Sequence, residues 1–225
     1  MTYTPSTILH PGMVAFPEAE SVFSGDVAAH RAVLQPLLSL EASTIDPDWS
    51  GRLHFVTPLE PYDGLLGENT PSFHSGYCTT NWIGFRVRGS KYEFLGDFRY
   101  FEINAAPSDF IRSDYEEKEK SYFESARRFH DDQRLGSPIN RPISVEWFDE
   151  LGGDAYAGNW TAFGLPVEFS EVENERKAHP LTQDGRRFRY VGCLAGYNYR
   201  KNCADRVLLF FDPQEHVAVI TFDWT

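Results

Sequence analysis

The stretch Arg206-Val-Leu-Leu-Phe-Phe-Asp212-Pro-Gln-Glu-His216-Val-Ala-Val-Ile-Thr-Phe-Asp-Trp224 decides the fold class. Two runs dense in β-branched and aromatic residues, Arg206–Asp212 and His216–Trp224, flank the compact turn Asp212-Pro213-Gln214-Glu215. That arrangement predicts a terminal antiparallel hairpin. Moving toward the N-terminus, further strands are expected at Arg187–Tyr197, Trp160–Phe169 and Ile143–Phe148. Trp82–Arg88, the turn Gly89-Ser90 and an alternating run Tyr92–Ile103 read as another hairpin. In its second strand Phe98 and Tyr100 face one side and Phe101 and Ile103 the other. A short strand is expected at Arg52–Val56. The rest of 42–76 reads as loop, because it is broken by Asp46-Pro47, Thr57-Pro58 and Glu60-Pro61-Tyr62-Asp63-Gly64.

Two helices are expected among these strands. The first spans Asp26–Glu41, capped by Ser24 or Asp26, with Val27, Leu34, Leu37, Leu38 and Glu41 near one face and a kink at Pro36. The second opens on the capping box Ser113-Asp114-Tyr115-Glu116 and places Tyr115, Tyr122, Ala126 and Phe129 on one face. Its acids Glu116, Glu117 and Glu119 come early and Arg127 and Arg128 late, in line with the helix dipole, and Leu135-Gly136 closes it. Strands broken by two principal helices, without regular βαβ alternation, predict a single α+β domain built on a mainly antiparallel sheet. The chain length of 225 residues fits one domain that needs no disulfides, and the 15% of aromatic residues suits a sheet-rich core.

Composition bounds the setting. The start MTYTPSTILHPGM has no basic region followed by an apolar one, so no signal peptide is expected. No run is long and apolar enough to span a bilayer. Three sparse cysteines, Cys78, Cys193 and Cys203, suit a reducing cytoplasm. With 21 basic against 33 acidic side chains the net charge is −12, which disfavours nucleic acid and anionic membranes and suits a basic partner, or solubility alone.

The charge is segregated. Glu146, Asp149, Glu150, Asp154, Glu168, Glu171, Glu173 and Glu175 form a −8 segment with no Lys or Arg. Residues 176–206 then carry +6, with Arg176, Lys177, Arg186, Arg187, Arg189, Arg200, Lys201 and Arg206 against Asp184 and Asp205. In one reading the two segments neutralise each other across neighbouring strands. In the other, the acids and the aromatics among them form a patch for a basic partner. The Gly-rich loop 151–160 would present Tyr156 and Trp160 at its tip.

No catalytic residue is assigned. There is no G-x-S-x-G turn, P-loop, G-x-G-x-x-G, H-E-x-x-H or EF-hand loop. His74 and Cys78 could form a thiolate–imidazole pair, but a loop histidine near a buried apolar cysteine is the plainer reading. Cys193 and Cys203 lack the short spacing of a zinc site, so no metal or other cofactor is expected.

The segments Arg189-Tyr190-Val191-Gly192, Leu208-Leu209-Phe210-Phe211-Asp212-Pro213 and Val217–Trp224 resemble the terminal strands of bacterial immunity proteins. Those cytosolic proteins are encoded beside secreted antibacterial toxins. The resemblance covers roughly the last 40 residues and carries no functional positions across. It implies a cytoplasmic, non-enzymatic inhibitor that covers a basic toxin, for example a nuclease, and is a monomer or weak homodimer when free. The partner-binding residues expected from the charge map are Asp149, Glu150, Asp154, Tyr156, Trp160, Glu171, Glu173 and Glu175. The alternative is a small carboxylate-dependent hydrolase or small-ligand-binding protein with its pocket near Asp149, Glu150 and Asp154. A nucleic-acid binder using Arg186, Arg187, Arg189, Arg200 and Lys201 is disfavoured by the overall charge.

Overall fold

Alternation in the terminal strands divides their side chains between two buried layers, and this division organises the molecule. The computed structural model describes residues 9–133, 135 and 146–224. Its first elements are β1 (Val14–Ala15), α1 (Ala19–Val22), α2 (Val27–Arg31), β2 (Leu34–Glu41) and β3 (Arg52–Pro58). β4 (Trp82–Arg88), β5 (Lys91–Phe94), α3 (Glu102–Ala105) and α4 (Asp109–Asp132) follow. The chain then forms β6 (Glu150–Leu151), β7 (Val167–Val172), β8 (Glu175–Pro180), β9 (Arg189–Leu194), β10 (Arg206–Asp212) and β11 (Val217–Asp223).

A six-stranded antiparallel sheet in the order β5-β4-β11-β10-β9-β6 forms the centre. On one face Val207, Leu209, Phe211, Ala218, Ile220 and Phe222 join a core shared with the three-stranded sheet β1-β2-β3 and with α4. On the other, Leu208, Phe210, Val217 and Val219 pack with Trp82, Trp160 and Tyr190 under a separate two-stranded sheet, β7-β8. Period-2 alternation sends neighbouring residues to opposite faces, and here both faces are covered. Fully burying each such side chain contributes about 1.5–3 kcal/mol. The terminal hairpin pairs in unbroken register from Arg206↔Asp223 to Asp212↔Val217, as the sequence predicts.

Several local expectations are corrected. Asp26–Glu41 is not one helix. Asp26 does cap α2, accepting the Ala29 N–H, but α2 ends at Arg31 and Leu34–Glu41 is a strand. Its apolar residues fit a helical face by coincidence. Paired to both β1 and β3, β2 is buried on both sides, and Pro36 is tolerated because it sits at a bulge against β3. The expected strand Tyr92–Ile103 stops at Phe94. The Asp97 carboxylate accepts the Arg99 N–H and starts a 3-10 turn, Phe98–Tyr100. Trp160–Phe169 is likewise divided between a 3-10 turn, Asn159–Ala162, and the start of β7. Of the strand expected at Ile143–Phe148, residues 143–145 lie outside the described residues and 146–148 are not strand.

Among the described residues one helix, α4, is long and the other three are short, so the expectation of two principal helices does not hold. α4 starts earlier than the capping box suggests, with Ser108 Oγ accepting the Ile111 N–H, and ends with Gln133 in the left-handed region; Gly136 lies outside the described residues.

α4 is docked by a buried polar seam as well as by Ile111, Tyr115 and Tyr122. Lys118 Nζ lies 2.6 Å from Asp114 and donates to the Pro61 carbonyl at 2.6 Å. Tyr115 donates to Glu60 at 2.5 Å, and Tyr122 to the Pro36 carbonyl at 2.6 Å. Arg200, fully buried, donates to Gln35 Oε1 at 2.9 Å and to the Pro58 carbonyl at 3.0 Å.

Candidate functional site

The β7–β8 hairpin and the loop before it hold most of the residues that the charge map singles out. Glu173 and Asn174 form its two-residue turn with φ of 55° and 67°, the left-handed pair of a type I′ hairpin. Such a turn makes Val172 and Glu175 a hydrogen-bonded pair. Hydrogen-bonded pairs then alternate along the ladder, so the amides of Phe169 and Glu171 point away from β8. On β8 the corresponding outward groups belong to Arg176 and Ala178. They are taken by the preceding loop: Ala157 N–H donates to the Arg176 carbonyl at 3.0 Å and Ala178 N–H to the Ala155 carbonyl at 2.9 Å. β8 is thus flanked on both sides, while β7 has β8 as its only strand neighbour among the described residues.

One face of the hairpin carries Glu168, Ser170, Lys177 and His179. Ser170 Oγ lies 2.8 Å from His179 Nε2, and His179 Nδ1 lies 3.7 Å from Asp154 Oδ1. Burial, and then the Arg187 guanidinium, hold the His179 pKa below its usual value against the pull of Asp154 and Glu168. Arg187 grips Glu168 through two hydrogen bonds of 2.9 and 2.6 Å. Lys177 Nζ sits 3.0 Å from the Tyr156 ring centre and 3.1 Å from Glu175. On the opposite face, the Arg176 guanidinium lies 3.8 Å above the Phe169 ring.

The structure therefore brings Asp154, Tyr156, Glu171, Glu173 and Glu175 together around one hairpin. Asp149 and Glu150 lie apart, at β6 on the edge of the central sheet. Glu150 is ion-paired to Arg206 and accepts the Tyr190 hydroxyl at 2.8 Å. Trp160 is not presented at a loop tip. It is fully buried, with its ring 5.8 Å from Trp82 and 5.4 Å from Phe210. Just beyond it Gly164, at φ +80°, lets the backbone pass against Trp82 where a Cβ would collide. Tyr156 stays partly exposed.

Three of the eight acids are paired with bases of the following segment: Glu150 with Arg206, Glu168 with Arg187 and Glu175 with Lys177. Glu171 and Glu173 have no ion-pair partner among the described residues. Sequence spacing could not have found Ser170 or His179, since neither belongs to a motif and the turn geometry alone sets them side by side.

Elsewhere the thiols of Cys78 and Cys193 are buried and pushed up to about 12 by desolvation, so neither is a ready nucleophile. His74 Nε2 donates to the Gly67 carbonyl, 2.8 Å away, rather than engaging Cys78. Among the described residues no group of histidine, cysteine or carboxylate side chains is arranged to hold a metal, and no helix is long and apolar enough to cross a membrane. No family model, curated protein or solved structure matches this chain.

Proposed function

We propose that the chain is an immunity-type inhibitor that neutralises a basic protein toxin by covering it with the β7–β8 hairpin. One observation supports this most strongly. Of the nine large hydrophobic side chains left exposed among the described residues, four (Tyr156, Phe163, Phe169 and Val172) fall within residues 156–172, the stretch that includes Glu171 and leads into Glu173. Aromatic anchors ringed by polar groups are the composition of interface hot spots. The two carboxylates at the turn give such a patch a sign and speed the encounter with a cationic partner. Because Glu150, Glu168 and Glu175 are neutralised within the chain, selectivity rests on Glu171 and Glu173 rather than on the whole acidic segment.

The test is capture from the native lysate with wild type and with the Glu171→Lys, Glu173→Lys double variant, at low and moderate salt. A single stoichiometric basic protein, retained by wild type at low salt and reduced roughly tenfold or more by the double variant, is the expected result. Equal capture by both proteins overturns the assignment of the hairpin. Both substitutions are at exposed positions near the turn, so the thermal midpoint should move by no more than a few degrees.

A further inference from the structure

We propose that Ser170, His179 and Asp154 form an acyl-transfer site whose substrate is a small, uncharged acyl ester. This goes beyond the binding reading and does not depend on it. The geometry assigns each group a role. The serine hydroxyl meets Nε2 of the imidazole at 2.8 Å, and the carboxylate lies on the Nδ1 side at 3.7 Å. That is the order in which a base, oriented by an acid, activates a hydroxyl. The acid contact is longer than a hydrogen bond, and such contacts often tighten only when substrate is bound. Glu168, the other carboxylate near His179, is held by both prongs of Arg187, which leaves Asp154 to orient the ring. Burial and Arg187 keep His179 neutral, hence basic, at pH 7.

The edge position of β7 supplies the remaining requirement. The amide of Glu171, the residue after the serine, points out of the ladder and has no partner among the described residues. It is available to a developing oxyanion, which gains most from a donor already oriented. Val172 lies two residues along the strand on the same face as Ser170, and Val172 and Tyr156 are both partly exposed; together they offer an apolar bed for a short acyl chain.

In the reaction, Ser170 Oγ attacks the ester carbonyl carbon as its proton passes to His179 Nε2. The carbonyl π pair moves onto oxygen, facing the Glu171 amide. Its return breaks the bond to the leaving alkoxide, which takes the proton from Nε2. Water then adds to the acyl–Ser170 ester with the same imidazole as base. Acid is released and the serine regains its proton, so ester and water give acid and alcohol with no other reactant.

A hydrogen bond that merely ties β7 to β8 would give none of this chemistry. The full chain is incubated with an alkyl fluorophosphonate and its intact mass and peptides are measured. Labelling forms a P–O bond at Ser170 as fluoride leaves, and the hydroxyl proton departs through His179. One adduct on the peptide containing Ser170 is expected, absent in Ser170→Ala. Labelling should be roughly 100-fold slower in His179→Gln, given the usual worth of a general base. In Asp154→Asn, a change at a half-exposed side chain that leaves the fold intact, it should be roughly tenfold slower. The labelling rate should hold from pH 8 to below pH 6.5 and fall only as His179 protonates. No adduct at Ser170, or equal rates in wild type and Asp154→Asn, overturns the site.

Discussion

Arg200→Ala is expected to lower the unfolding free energy by about 3–5 kcal/mol, the loss typical when one member of a buried ionic network is removed. Arg200 is fully buried, and it ties three parts of the chain together: β2 through Gln35, β3 through the Pro58 carbonyl and, by charge, Asp114 on α4. Burial lowers its pKa, but the group remains a cation at neutral pH because guanidinium starts so high. Removal leaves the Pro58 carbonyl and the Gln35 amide oxygen without their donor, and it leaves Asp114 to Lys118 alone. A cavity adds to the cost, so Arg200→Met, which refills the space but not the hydrogen bonds, should recover about 1–2 kcal/mol of the loss. Urea unfolding at pH 7 measures both. A loss below about 1 kcal/mol for Arg200→Ala would show that the seam contributes little to stability.

Acid should unfold the protein through His54. This ring is buried between the two sheets. Its Nε2 donates to the Ser90 carbonyl at 2.8 Å, so Nδ1 accepts the Ser39 hydroxyl at 2.6 Å, and only the neutral ring is well accommodated. Desolvation takes its pKa from 6.5 to about 4. In the pH window between those values the unfolded chain binds the proton and the folded chain does not. Stability is therefore complete above pH 6.5 and declines as pH falls toward 4, by about 2–3 kcal/mol at pH 4.5. His30 acts in the same direction. Its Nδ1 donates to the Asp26 carbonyl at 2.6 Å while Nε2 accepts the Phe94 N–H, and burial lowers its pKa too. The buried carboxyl of Glu60 opposes them, since burial raises its pKa and the folded state then favours the proton. The difference between wild type and His54→Gln isolates the histidine, because glutamine can keep both hydrogen bonds without titrating. The variant should lose about 2–3 kcal/mol less than wild type between pH 7 and pH 4.5 in urea titrations. Parallel curves for the two proteins would place the acid sensitivity elsewhere.

What could be read directly from residue order was whatever short-range pattern dictates. The terminal hairpin is legible because Asp212–Glu215 is a strong turn and both flanking runs are β-prone from end to end. The Trp82 strand is legible for the same reason, and most of α4 from the helical spacing of its apolar residues and its graded charge. The sequence carries none of the familiar catalytic motifs. That could not exclude side chains brought together by the fold: Asp154, Ser170 and His179 follow no spacing rule, the positive φ angles of Glu173 and Asn174 set Ser170 beside His179, and the pairing of the preceding loop with β8 brings in Asp154. Leu34–Glu41 shows the converse limit. Its apolar residues satisfy the helical and the extended period together, and only pairing with β1 and β3 resolves the ambiguity in favour of strand.

Charge shows the same division. Sequence alone established the net charge of −12 and its separation into an acidic and a basic stretch. Only the tertiary structure decided that Glu150 meets Arg206 and that Glu168 meets Arg187, leaving Glu171 and Glu173 at a hairpin turn. The physical reason is range. Propensity, capping and turn chemistry act over a few residues and are written locally. Burial on both faces of a sheet, and ion pairs across neighbouring strands, depend on partners distant in the chain, and those partners determine which local option is realised.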